Sequence, residues 1–364
     1  MGELNLFGAM SEGFNKMKPY LAMVALQFGY AGMYIITLVS LKGGFSHWVL
    51  VFYRHVVATI VVSPFAYFLE KKTRPKMTKS VFFKIAVLAF LEPVLDQNMY
   101  NVGMQYTSAT FASATVNILP AITFILAVIF RLEKVNLKKI HSLAKVIGTS
   151  ITVTGAMVMT LYKGPVVDIL WYSHGSSHHS AAASAADQHW VTGTIMLLCC
   201  IVGWSAFFIL QSKTLKEYPA ELSLTSLICW MGMVEGGIAA VIMERRKSAW
   251  AIGFDSRLLA AAYSGIVCSG IAYYIQSVVN RVRGPVFVTA FSPVSMIITA
   301  VLGAIVLSEQ VHLGSLIGAV IIVTGLYSVV WGKSKERSSL DEKMTSDESG
   351  AHELPVVDKK PLQG

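Results

Sequence analysis

Stretches of about 20 nearly uninterrupted apolar residues, each long enough to cross a bilayer core as a helix, alternate along this chain with short polar segments. Ten are read, at 20–41, 48–69, 81–105, 109–130, 141–162, 191–212, 222–243, 257–279, 287–307 and 313–331. Lipid offers no hydrogen-bond partner to the backbone, so runs of this length are expected to be helices. The pattern predicts an all-α membrane protein with ten transmembrane helices. Residues 1–19 form a short N-terminal segment whose part before Lys16 is too weakly apolar for a cleaved signal peptide. Residues 163–190, rich in Ser, Ala and His, separate two sets of five runs, 20–162 and 191–332. Residues 333–364 are polar and read, like the central segment, as solvated chain.

Composition narrows the picture. Only 14% of the 364 residues are charged against 54% hydrophobic, and the mean hydropathy is +0.58. Soluble domains carry about a quarter charged residues, so a soluble pair of domains and a disordered chain are both excluded. The four cysteines (Cys199, Cys200, Cys229, Cys268) all fall inside apolar runs and read as small buried hydrophobes. His174, His178, His179 and His189 are too irregularly spaced to make a strong metal motif. Phosphate-cradling glycine loops and nucleophile elbows are absent, so neither an enzyme nor a cofactor is expected.

The net charge of +9 reads as membrane orientation, with no nucleic-acid partner expected. With the N-terminus in the cytoplasm, the cytoplasmic segments hold Lys16, Lys18, Lys71, Lys72, Arg74, Lys76, Lys79, Arg131, Lys134, Lys138, Lys139, Lys213, Lys216, Arg281, Arg283, Lys333, Lys335 and Arg337. The opposite side keeps far fewer, although Arg245-Arg246-Lys247 dissents beside Glu244. Both termini are therefore expected in the cytoplasm.

The two halves repeat each other. Gly29-Tyr30 answers Gly203-Trp204, and Pro120 answers Pro293. Glu133-x-Val135 answers Glu309-x-Val311, and Ile147-Gly148 through Gly155 answers Ile317-Gly318 through Gly325. Five is odd, so a copied five-helix unit must enter the membrane upside down. The basic loop after Arg131 and its Lys-free counterpart at 307–313 agree with that inversion. Inverted repeats are an architecture of secondary transporters, with the substrate site near the midplane between the halves.

Longer motifs carry a family resemblance. Leu26-Gln-Phe-Gly-Tyr-Ala-Gly32, Tyr53-Arg-His55, Pro64-Phe-Ala-Tyr-Phe-Leu-Glu70 and Thr107-Ser-Ala-Thr-Phe-Ala112 lie in the first half. Leu161-Tyr-Lys-Gly-Pro165, Tyr218-Pro-Ala-Glu-Leu-Ser223, Gly284-Pro-Val-Phe-Val288 and Gly325-Leu-Tyr-Ser-Val-Val-Trp-Gly-Lys333 follow. Together they resemble the plant nodulin-21-like family, the usually-multiple-acids-move-in-and-out transporters (UMAMIT) of the EamA and drug/metabolite transporter superfamily. The resemblance implies two inverted five-helix EamA repeats and bidirectional movement of amino acids, with auxin or another small organic acid as the alternative cargo. The plasma membrane is the expected location and the vacuolar membrane the alternative. The lipid bilayer is the expected surrounding, with self-association as a homo-oligomer left open. A membrane sensor of the same substrates is the rival from another class.

Charges inside spans are costly and therefore mark function by default. The densest polar group is Glu92-Pro93-Val-Leu-Asp96-Gln97-Asn98. Glu92 and Asp96 share one helix face, and Pro93 frees the carbonyl of Ala89, so a bend is expected there. Two readings stand side by side: a carboxylate meets a substrate ammonium or carries a coupled proton, or the pair is held internally by Arg54, by His55 or by a shared proton. Arg54, near the outer start of its span, suits a substrate carboxylate through its planar fork, or else snorkels to headgroups. Gln27, Tyr30 and Tyr34 line one face of the first span, with Trp204 as the counterpart in the sixth. Asn117 beside Pro120, Ser292 beside Pro293, and Tyr273 with Gln276 complete the candidate substrate-binding set. Gly148, Gly155, Gly318 and Gly325 fit close helix packing instead.

Overall fold

The computed structural model describes residues 2–107, 112, 115–133, 135–136, 138–162, 164–165, 190–306 and 313–351. Helices account for its regular structure among these residues. They are α1 (Gly2–Lys42), α2 (His47–Glu70), α3 (Lys79–Ala89), α4 (Gln97–Tyr106), α5 (Leu119–Ile129), α6 (Ile140–Leu161) and α7 (Trp190–Glu217). Then come α8 (Glu221–Met243), α9 (Ser256–Tyr263), α10 (Ala272–Arg283), α11 (Pro285–Ala290), α12 (Ser292–Val306) and α13 (Leu313–Ala351). Eight described helices are long and apolar enough to cross a membrane, and Leu119–Ile129 is a shorter apolar one. Side chains such as Ile60, Phe68, Val191 and Val241, each more than 60% exposed, face outward as a lipid-facing surface demands.

The third run of each half is interrupted in the same manner. A π-helical stretch, Phe90–Asp96, joins α3 to α4, and a second, Ser264–Ile271, joins α9 to α10. Pro93 accounts for the first, because it removes a donor from the ladder. The second contains no proline. There Gly265 and Gly270 allow close approach, and a Cβ at Gly265 would stand 2.6 Å from the Arg54 carbonyl oxygen. Wide turns of this type occur mostly at functional positions.

Helices α6 and α13 form a tight pair. A Cβ at Gly325 would meet Thr152 Oγ1 at 2.4 Å, and one at Gly155 would meet Ile322 N at 2.7 Å. Gly148 and Gly318 face backbone as closely, so these glycines serve helix contact as expected. At one end of the pair Lys145 is fully buried, with Nζ 2.9 Å from Glu133 Oε2 and 2.9 Å from Glu336 Oε2. Lys333 pairs with Glu133 in the same network.

Several boundaries differ from the sequence expectation. Helix α1 begins at Gly2, ahead of residue 20, and α13 continues past residue 333 to Ala351, so 333–351 is helix and not loose chain. Lys333 and Glu336 account for the first added turn, since their ion pairs hold the helix together just beyond the apolar run. Most of the 163–190 segment with its four histidines, Glu309 and residues 352–364 lie outside the described residues. Among those described, no group of His, Cys, Asp or Glu is arranged to hold a metal ion.

Candidate functional site

Arg54 organises the polar centre of the molecule. It sits two turns into α2 and is only 4% exposed, which overturns the snorkelling alternative. Its Nε donates to Ser269 Oγ at 2.6 Å, and its Nη1 donates to Gln97 Oε1 at 2.9 Å. Gln97 Nε2 in turn donates to Glu92 Oε1 at 3.0 Å. The direct Arg54–Glu92 separation is 3.9 Å, so the amide of Gln97 links two charges that only just meet. Glu92 Oε2 is buried without a hydrogen-bond partner among the described residues. The internal pairing of Glu92 with Arg54 is thus realised, but loosely.

One turn further, Asp96 accepts a bond from the Cys200 thiol, Sγ to Oδ1 at 2.8 Å. Arg54 thus stands by Glu92, and the Cys200 thiol by Asp96. His55 faces the other way: its Nδ1 meets the Val51 carbonyl at 2.8 Å, and its Nε2 is buried and unpaired. Pro93 and His55 both touch the position where a Cβ on Gly232 of α8 would lie, at 2.9 and 3.2 Å. The second half thus covers the cluster with glycine backbone.

Helix α1 closes another side. Gln276 Nε2 of α10 donates to Tyr30 Oη at 2.9 Å, and Gly29 packs against Val267 beside the Ser269 turn. Gln27 is buried on the same helix, whereas Tyr34, one turn on, is 40% exposed. Tyr273 is buried against the Phe207 ring at 5.9 Å, its hydroxyl without a partner. Trp204 stacks on Phe208 at 6.3 Å. Asn98 bonds back to the Val94 carbonyl at 2.7 Å, with its Oδ1 buried and unpaired.

Two candidates stand apart from the Arg54 bonding network. Asn117 reaches Met296 Sδ at 2.6 Å, and the Ser292 carbonyl accepts from Ser295 Oγ at 2.7 Å. The first joins the fourth and ninth runs near their prolines, and the second is a bond within the ninth. The residues that carry the centre without being singled out beforehand are Ser269 and Cys200. Ser269 is aligned with the acidic stretch in the repeat, which was a usable signal; Cys200 gave none. Glu235 on α8 is a further missed carboxylate, its Oε2 buried and unpaired.

The cluster joins elements of both halves: α2, the Phe90–Asp96 turn and α4 from the first, the Ser264–Ile271 turn and α7 from the second. An arginine fork and two carboxylates within one apolar interior can bind the two ends of a zwitterion. Charges buried within membrane spans mark sites that bind and release polar solutes.

The comparisons agree with this architecture. The sequence profile of the EamA-like transporter family matches twice, at residues 17–161 and 191–331. Two Arabidopsis thaliana proteins are similar over nearly the whole chain. WAT1-related protein At1g21890 is 60% identical over 358 residues, covering 96% of this chain and 90% of its own. WAT1-related protein At4g08300 is 61% identical over 347 residues, covering 94% and 92%. A crystal structure of another protein, 15% identical, superposes with a TM-score of 0.63 over 88% of this chain and 97% of that one, a likeness of fold. The duplicated match, the multi-pass helices and these relatives identify the chain as a member of the EamA-like transporter family.

Proposed function

We propose that this transporter is a bidirectional amino acid carrier of the nodulin-21-like (UMAMIT) type, working by alternating access. Its ten spans form two inverted five-helix halves, with both termini in the cytoplasm, and the halves rock around the Arg54–Glu92 cluster. The plasma membrane is its proposed location. The observation that carries the reading is the seam cluster itself: one guanidinium and two carboxylates, buried together and incompletely satisfied. A substrate carboxylate takes the Arg54 fork from Ser269 and Gln97, and the substrate ammonium takes the open oxygen of Glu92. Exchange of these partners returns each buried charge to a paired state, which keeps the loaded carrier from stalling on desolvation.

An amine-free carboxylate such as auxin is the competing cargo, favoured by Arg54 being bonded only to neutral groups within hydrogen-bond distance. Counterflow in proteoliposomes of the purified protein separates the readings. Vesicles preloaded with unlabelled amino acid are expected to accumulate the labelled one, with the proton gradient collapsed. Accumulation of labelled auxin alone transfers the site to that class, and binding without flux makes the protein a sensor.

A further inference from the structure

A cavity opens between the end of α2 and the start of α8, with a volume of about 620 Å³. Tyr67, Lys71, Arg74 and Lys76 line it from the first half, and Ser226 and Leu227 from the second. The volume lies in the range of small-ligand sites, roughly 300–1,000 Å³. Lys71 Nζ lies 3.2 Å from the Tyr67 hydroxyl and 4.9 Å from that ring's centroid, so phenol and ammonium face the space together.

Charge bookkeeping at this end is one-sided. Glu70 spends both oxygens on the backbone N–H groups of Leu222 and Ser223, at 3.0 and 2.7 Å, capping α8. Glu217 pairs with Lys84, and Glu221 pairs with Arg281 at 2.8 Å. The neighbouring carboxylates are thus engaged, while Lys71, Arg74 and Lys76 make no ion pair among the described residues. Basic side chains alone mark membrane orientation. Here they rim a concave wall that also presents hydroxyls and an apolar floor of Ala66, Met77 and Leu227.

We propose that this cavity binds the phosphate-bearing headgroup of an anionic membrane lipid. Basic pockets between spans on the cytoplasmic side are the recognised setting for such headgroups, and the charge asymmetry of this chain puts the 70–79 loop on that side. The occupant bridges two halves that Glu70 already ties together, so lipid composition is expected to bias the opening of this end. The proposal is independent of what the protein transports.

Native mass spectrometry of the detergent-purified full chain tests it, with dioctanoyl phosphatidic acid as probe and dioctanoyl phosphatidylcholine as reference. The wild type is expected to bind phosphatidic acid at least tenfold more tightly. Lys71→Gln, Arg74→Gln and Lys76→Gln together should lower that affinity to the phosphatidylcholine level. Lys138→Gln with Lys139→Gln, which removes charge from a loop at the same membrane side, should leave it unchanged. If the triple variant fails to fold, the three single variants are expected to lose about threefold each. Inorganic phosphate that binds as tightly as the lipid probe makes a soluble phosphate the source; weak competition leaves the lipid. Unchanged phosphatidic acid binding in the triple variant, or an equal loss in the Lys138/Lys139 variant, overturns the proposal.

Discussion

Two buried charged clusters among the described residues are built on opposite terms. At the end of the α6–α13 pair, Lys145 and Lys333 meet Glu133 and Glu336, two cations for two carboxylates, with Lys145 in bonds of 2.9–3.0 Å to both acids. At the seam, Arg54 stands against Glu92 with Asp96 one turn on, the Arg54–Glu92 ion pair is stretched to 3.9 Å, and Glu92 Oε2 has no hydrogen-bond partner among the described residues. The first cluster is saturated and holds two helices whose glycines already interlock. The second is left short of partners in the interior. Burying an unsatisfied carboxylate costs stability, and such sites persist where function needs them. The difference teaches which charge network fastens the fold and which one, on the proposed reading, receives the cargo.

Breaking the saturated cluster is expected to be the costliest change. Lys145→Met leaves Lys333 as the one cation for Glu133 and Glu336 in this cluster and should lower stability by about 3 kcal/mol, since removing one partner of a buried pair leaves a carboxylate under-compensated. Thermal unfolding in detergent measures it, and Lys145→Arg should recover part of the loss. Overpacking the same helix pair comes next. A Cβ at Gly325 lands 2.4 Å from Thr152 Oγ1, so Gly325→Ala should cost about 2 kcal/mol. Thr152→Ala in addition should return part of that, as a double-mutant cycle would reveal.

The seam should respond more mildly in stability. Cys200→Ala deletes the thiol donor to Asp96 and should cost about 1 kcal/mol. A null effect there would mean that Asp96 has another donor ready. Smallest is a surface pair after α8, where the Arg246 guanidinium binds Glu244 and holds its carboxyl down to about 2. This group's folded value lies below its ordinary one, so its contribution is complete above about 4.5 and disappears as pH falls toward 2. Glu244→Gln should remove this small contribution at neutral pH and flatten the pH–melting profile between about 4.5 and 2, with the two proteins converging at the acid end.

Much of this arrangement was legible in the residue order because lipid is an unforgiving solvent. Apolar runs predict the spans, and the paired glycines predict which helices press together, since no other residue fits against backbone at 2.5–2.8 Å. Glu92 and Arg54 stood out as charges within apolar surroundings. Their geometry did not: nothing in the spacing says that Gln97 stands between them or that Ser269 completes the fork. Cys200 lies 104 residues from Asp96 and looks like any small hydrophobe. Lys145 and Glu336 are 191 residues apart, so the tail beyond residue 333 looked like loose chain until its partner was visible. Tertiary pairing, absent from local pattern, decided each of these.

The central claim is that the under-satisfied seam, and Glu92 within it, receives the amine of the cargo. Counterflow kinetics of wild type and Glu92→Gln, compared for an amino acid and for the same acid lacking its amine, test this most directly. The account predicts at least a tenfold higher KM for the amino acid in the variant, with the amine-free acid unaffected. Equal KM values for the amino acid in both proteins would contradict it.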